Sequence, residues 1–145
     1  MHKAIRLIVL LALGMAMVGC GIGSNSTNVN GNWSASLVST QGGPPVYAFS
    51  TTFSEMSGGG LNITNFTFTS NGSCFIGTTT ETGSFTLSGD FSGNVKGTFG
   101  MTITGSGNTL TLQGGVGSNN TITGTWSLTG STACSGKGSF TFTRV

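Results

Sequence analysis

From residue 31 onward the chain alternates between apolar and hydroxylated positions. In TITGTWSLT, residues 121–129, Ile122, Gly124, Trp126 and Leu128 take the even places, and Thr or Ser takes the odd ones. A repeat of two is the mark of a strand with one face buried. Val95, Gly97, Phe99, Met101 and Ile103 form a second stripe, Leu110 and Leu112 a third, Phe85, Leu87 and Phe91 a fourth. Phe140, Phe142 and Arg144 share a face at the C-terminus. In LNITNFTFTS the parity flips, from odd at Leu61 and Ile63 to even at Phe66 and Phe68, which predicts a bulge near Asn65. Asn71-Gly72, Ser92-Gly93-Asn94 and Gly105-Ser106-Gly107 read as hairpin turns. The pattern gives nine candidate strands, near 32–39, 46–54, 61–69, 74–80, 84–91, 95–104, 108–116, 121–129 and 137–144. No segment after Cys20 carries helical periodicity.

A second pattern overlies the first. Gly-x-aromatic occurs at Gly31-Asn32-Trp33, Gly83-Ser84-Phe85, Gly97-Thr98-Phe99, Gly124-Thr125-Trp126 and Gly138-Ser139-Phe140. The last four start 14, 27 and 14 residues apart, so the step is one strand plus one turn. Glycine and ring share a face, and a small residue beside a large one suits the tapering inside of a closed sheet. The motif therefore reads as a packing device, with a row of ligand-stacking rings as the sharper alternative.

Composition changes the picture in two respects. The 24 Thr, 19 Ser and 26 Gly could belong to a low-complexity coil, but 36% apolar residues and ten Phe give the chain a core that disordered sequences lack. The formal charge of +2 belongs to Lys3 and Arg6 in the leader. Beyond them Lys96, Lys137 and Arg144 balance Glu55, Glu81 and Asp90, so the mature chain is neutral. Nucleic acid is excluded as a partner, because no basic patch exists to displace counterions.

The cysteines bear on strand number. Cys20 ends the apolar N-terminal run, which leaves Cys74 and Cys134, and such a pair reads as a disulfide if the chain is exported. It closes about 60 residues, worth roughly 4 kcal/mol on the chain-entropy model. Nine strands would place these cysteines at opposite ends of a meander, and an odd number cannot close antiparallel. Losing one strand after Cys74, around Glu81-Thr82-Gly83, repairs both faults. The predicted fold is all-β: an antiparallel up-and-down meander closed into a barrel of about eight strands. A β-sandwich is the alternative.

The N-terminus supplies an address. Residues 1–6 are positively charged, and the apolar run 7–17 is eleven residues long, short of the about 20 that span a bilayer. The following Met17-Val18-Gly19-Cys20 resembles the lipobox of bacterial lipoproteins. The resemblance implies cleavage before Cys20, lipidation of its thiol and acylation of the new amine. Three acyl chains make an effectively permanent anchor. Gly21, in place of the Asp that retains such proteins at the inner membrane, implies the outer membrane, on its periplasmic or surface face. The domains are then 1–19 signal peptide, 20–30 lipidated Cys20 and flexible tether, and 31–145 β-barrel. The ten residues 21–30, small and mostly polar, reach about 18 Å r.m.s..

Gly31-Asn32-Trp33 on the first strand and Arg144 on the last resemble the signature of the calycins, the lipocalin and avidin barrels. The resemblance implies that Trp33 closes one barrel end and that Arg144 lies across it, with a cation–π contribution of about 1 kcal/mol.

No catalytic constellation is present. The mature chain lacks histidine, which excludes Ser/His and Cys/His nucleophiles. Glu55, Glu81 and Asp90 have no metal-ligand spacing, and Glu81 and Asp90 read as solvated turn carboxylates flanking one short hairpin. Lys96 reads as solvent-exposed, and Tyr47 as core with its hydroxyl at the rim. No enzyme, cofactor or metal is expected. Two functions remain. One is a structural or interaction protein of the cell envelope, held by its lipid anchor beside an envelope component. The other is a binding module for a small apolar or amphipathic molecule lined by Phe49, Phe85, Phe99 and Trp126.

Overall fold

The computed structural model describes residues 28–89, 95–117 and 121–145. The expected lipobox 17–20, residues 21–27 of the expected tether, Asp90, Phe91 and the expected turn Ser92-Gly93-Asn94 lie outside the described residues.

Eight strands follow one another: β1 (Gly31–Ser39), β2 (Tyr47–Glu55), β3 (Gly60–Ser70), β4 (Thr80–Gly89), β5 (Val95–Gly105), β6 (Asn108–Val116), β7 (Thr121–Thr129) and β8 (Gly136–Arg144). Each pairs antiparallel with its neighbour in chain order, and β8 returns to β1 to close a barrel. Trp33 faces Arg144 and Leu37 faces Phe140 across that closure. The architecture is a single closed meander and not two packed sheets, so the sandwich alternative falls.

The fourth of the nine candidate strands, 74–80, does not form. It belongs to the connection 71–79, which Asn71 organises: its carbonyl accepts from the Cys74 amide at 3.1 Å, and its side-chain Nδ2 donates to the Phe75 carbonyl at 2.7 Å. Asn71-Gly72 is thus the start of a longer connection, not a tight hairpin. β4 begins at Thr80 and takes in Glu81-Thr82-Gly83, which puts both cysteines at the same barrel end. Gly105-Ser106-Gly107 is a two-residue hairpin, with Ser106 at φ 53° and Gly107 at φ 77°, the left-handed pair that matches strand twist.

The parity flip in β3 has its expected cause. Register shifts against β2 between Ser50 and Thr52, where Asn65 sits at φ 52°. Leu61 and Ile63 point inward before the bulge, Phe66 and Phe68 after it. The fourth stripe holds only in part: Phe85 is buried, whereas Leu87, farther along β4, is half exposed.

Most hydroxylated positions face out, Thr51 on β2 excepted, and the inward positions fill the barrel. Phe53, Phe99, Phe140 and Phe142 form a continuous cluster with centroids 5.3–6.1 Å apart, tilted or edge-to-face. Rings from the repeated motif lie on glycines of the next strand. Phe85 sits over Gly97, where an added Cβ would fall 2.6 Å from the ring, and Trp126 sits over Gly138 at 2.7 Å. Each ring thus covers the glycine that opens the next motif, one 14-residue step after its own.

Candidate functional site

A barrel can work through an opening at either end, through its interior, or through its wall. The end where β1 begins and β8 finishes is sealed. Arg144 places its guanidinium 4.4 Å from the centre of the Trp33 ring. Its Nη2 donates to the Asn28 carbonyl at 2.8 Å, and its Nη1 donates to the Asn30 carbonyl. Trp33 Nε1 donates to the Val29 carbonyl at 2.7 Å, and the Val29 amide donates to Glu55 Oε1 at 3.0 Å. Val29 is fully buried. Residues 28–30, the last three of the segment assigned to the tether, are thus packed across the barrel end.

The opposite end is sealed by different means. Cys74 and Cys134 form a disulfide that ties the β3–β4 and β7–β8 connections together. Asn108 is buried between the same connections, donating to the Cys74 carbonyl at 2.6 Å and accepting from the Ser131 amide at 3.2 Å. Beneath them Tyr47 meets Trp126 and Phe75 edge-on, at 5.6 and 6.3 Å. Its hydroxyl points at Cys74 Sγ, 3.6 Å away, and burial pushes the phenol above its ordinary pKa. Trp126 Nε1 donates to the Val38 carbonyl at 3.0 Å.

Between these plugs the four candidate ligand-lining rings are buried but do not form one wall. Phe49 and Phe99 both pack on Phe142, at 5.4 and 5.3 Å. Phe85 covers Gly97, and Trp126 belongs to the disulfide end. Clefts of about 450 and 320 Å³ lie instead on the outer wall, sharing Thr111 and Gln113 on β6. Thr125, Ser127 and Lys137 line the larger, and Thr82, Ser84 and Thr102 the smaller.

No family model matches the chain, and no curated protein or solved structure is significantly similar to it. Function must therefore be argued from geometry. Among the described residues no three His, Cys, Asp or Glu side chains converge as metal ligands. Lys96 is exposed.

Glu81 departs from the expectation of a solvated turn carboxylate. It lies within β4 on the same face as Gly83 and Phe85, opposite Ile103, and its Oε1 is buried with no hydrogen-bond partner among the described residues. The signal was in the sequence, in the shared parity of Glu81, Gly83 and Phe85. A strand predicted to begin only at Ser84 hides it, whereas β4 begins at Thr80.

Proposed function

We propose that this chain is a membrane-anchored lipoprotein of the cell envelope with a structural or interaction role, acting through the outside of a filled barrel. The observation that carries this is the sealing of both ends around a continuous aromatic interior. A barrel becomes a container only when its inward positions leave space, and here rings occupy them. The working surface is then the Thr- and Ser-rich wall, and solubility comes from hydroxyls rather than charge. The anchor rests on the lipobox Met17-Val18-Gly19-Cys20. The tether joins the barrel at the Arg144 end, so the lipid holds that end nearest the bilayer of the outer membrane. The partner is an envelope component.

A second reading is supported by the Arg144–Trp33 stack at 4.4 Å. It fits the calycin resemblance and with it a binding module for a small apolar or amphipathic ligand. The filled interior weighs against it.

The test of the primary reading is the N-terminal mass of the protein extracted from its own membranes. The expected species begins at acylated Cys20, and Cys20→Ser leaves an unprocessed precursor that no longer fractionates as a lipoprotein. An unacylated mature N-terminus would overturn the anchor.

A further inference from the structure

The barrel wall is incomplete between β3 and β4. Among the described residues these strands pair only where Gly60 faces Ser84 and Leu61 faces Gly83. Every other neighbouring pair is joined along most of its length, β2–β3 across two register shifts. Beyond Leu61 the bulge at Asn65 bends β3, and residues 62–70 have no strand partner on that side. Residues 80–82 of β4 face the same gap with their own edge unpaired. An unpaired edge offers a periodic row of amide donors and carbonyl acceptors, which an extended backbone matches.

Two further observations say what kind of backbone fits. Ile63, Phe66 and Phe68 are only partly buried at the gap, with Phe68 stacked on Phe75 at 5.2 Å and 18°. Glu81 lies on the facing strand β4, two residues from the Gly83 that pairs with Leu61. A Cβ added at its strand neighbour Gly83 would fall 3.1 Å from Ile63, and one added at Gly105, two residues beyond its cross-strand partner Ile103, would fall 3.4 Å from Phe75. The buried Oε1 of Glu81 has no partner within the described chain. Buried carboxylate oxygens in folded proteins are almost always hydrogen-bonded, so this acceptor is left for a group from outside.

We infer that the β3–β4 seam docks an extended segment of a partner protein, which adds as a strand along β3 and directs a lysine or arginine side chain to Glu81 between apolar residues that cover Phe66, Phe68 and Ile63. The inference rests on the reading of this protein as an interaction module. A charge-assisted contact gives the basic residue its selectivity, and the backbone ladder gives register.

The test pans a displayed random heptapeptide library over the detergent-solubilised full-length protein. Enriched peptides are expected to carry Lys or Arg flanked at alternate positions by β-branched or aromatic residues. They should protect the gap-facing amides of residues 62–70 and 80–82 from hydrogen exchange, and bind at least tenfold more weakly to Glu81→Gln, which keeps size and removes charge. Three results would overturn the inference: no enrichment of such peptides, affinity unchanged in Glu81→Gln, or protection elsewhere on the barrel. So would a simple alkylammonium ion that competes for Glu81 without protecting the edge amides, since the ligand would then be a small amine. A dimer whose seam amides are already protected would make the occupant a second copy and overturn it equally. The anchor is read separately from the Cys20 mass, so either claim can fail while the other stands.

Discussion

Replacing Gly138 with alanine strikes the closure of the barrel at its tightest point. A Cβ there would lie 1.8 Å from the Val38 carbonyl oxygen on β1 and 2.7 Å from Trp126 Nε1, the donor that bonds to that same oxygen. A carbon and a carbonyl oxygen rest about 3.3 Å apart, so β1 would have to retreat by about 1.5 Å. That movement takes Val38 out of reach of Trp126, whose hydrogen bond is 3.0 Å long. Overpacking of this kind costs about 1–3 kcal/mol, and the stranded indole N–H about 1–3 kcal/mol more. We expect Gly138→Ala to lose about 3–5 kcal/mol, a large share of the roughly 5–15 kcal/mol that holds a domain folded. The neighbouring outward Ser139→Ala should stay within about 0.5 kcal/mol of the parent. Urea unfolding followed by tryptophan fluorescence measures both. A Gly138→Ala protein within 1 kcal/mol of the parent would refute the claim that the glycine exists to admit the ring and the β1 backbone together.

The remaining expectations concern the two plugs. Arg144→Ala removes the stack on Trp33 and both carbonyl contacts, and should cost about 2 kcal/mol by the same urea assay; Arg144→Lys, which keeps charge without the fork, should recover less than half. The paired Cys74→Ser and Cys134→Ser variant frees a 60-residue loop and should lose about 2–4 kcal/mol; a loss below 1 kcal/mol would mean that Asn108 alone holds those connections. Tyr47 is the single tyrosine in the sequence, so absorbance at 295 nm follows it alone. Because burial raises its folded pKa, the folded chain keeps a proton that the unfolded chain releases above about pH 10. Stability should be insensitive to this group below that pH and fall above it. A phenol titrating in the native protein at its ordinary value would contradict the placement beneath the disulfide.

Much of this fold was legible because the barrel obeys a period of two nearly everywhere. The stripes of β5, β6, β7 and β8 needed only alternation, and the β3 bulge announced itself as a parity change between Ile63 and Phe66. Strand number was recoverable from closure and the shared end of the cysteines, but the choice of which segment to drop was not. Residues 74–80 look strand-like because Phe75 is a core residue carried by a connection. Val29 was invisible for the opposite reason: one apolar residue amid Gly, Ser and Asn has no period, and its burial depends on Trp33 and Glu55 from other strands. The seam was equally hidden, since pairing is a property of two strands and alternation describes only one. Arg144 and Trp33 were readable as partners only through a family resemblance, because their contact spans the whole domain.

The central claim is that the barrel's interior is full and its function lies outside. Native mass spectrometry of the protein released gently from its own membranes tests this most directly. The account expects the polypeptide from Cys20 plus its acyl groups and no further non-covalent mass. A retained small molecule of stoichiometric abundance, lost on unfolding, would contradict it.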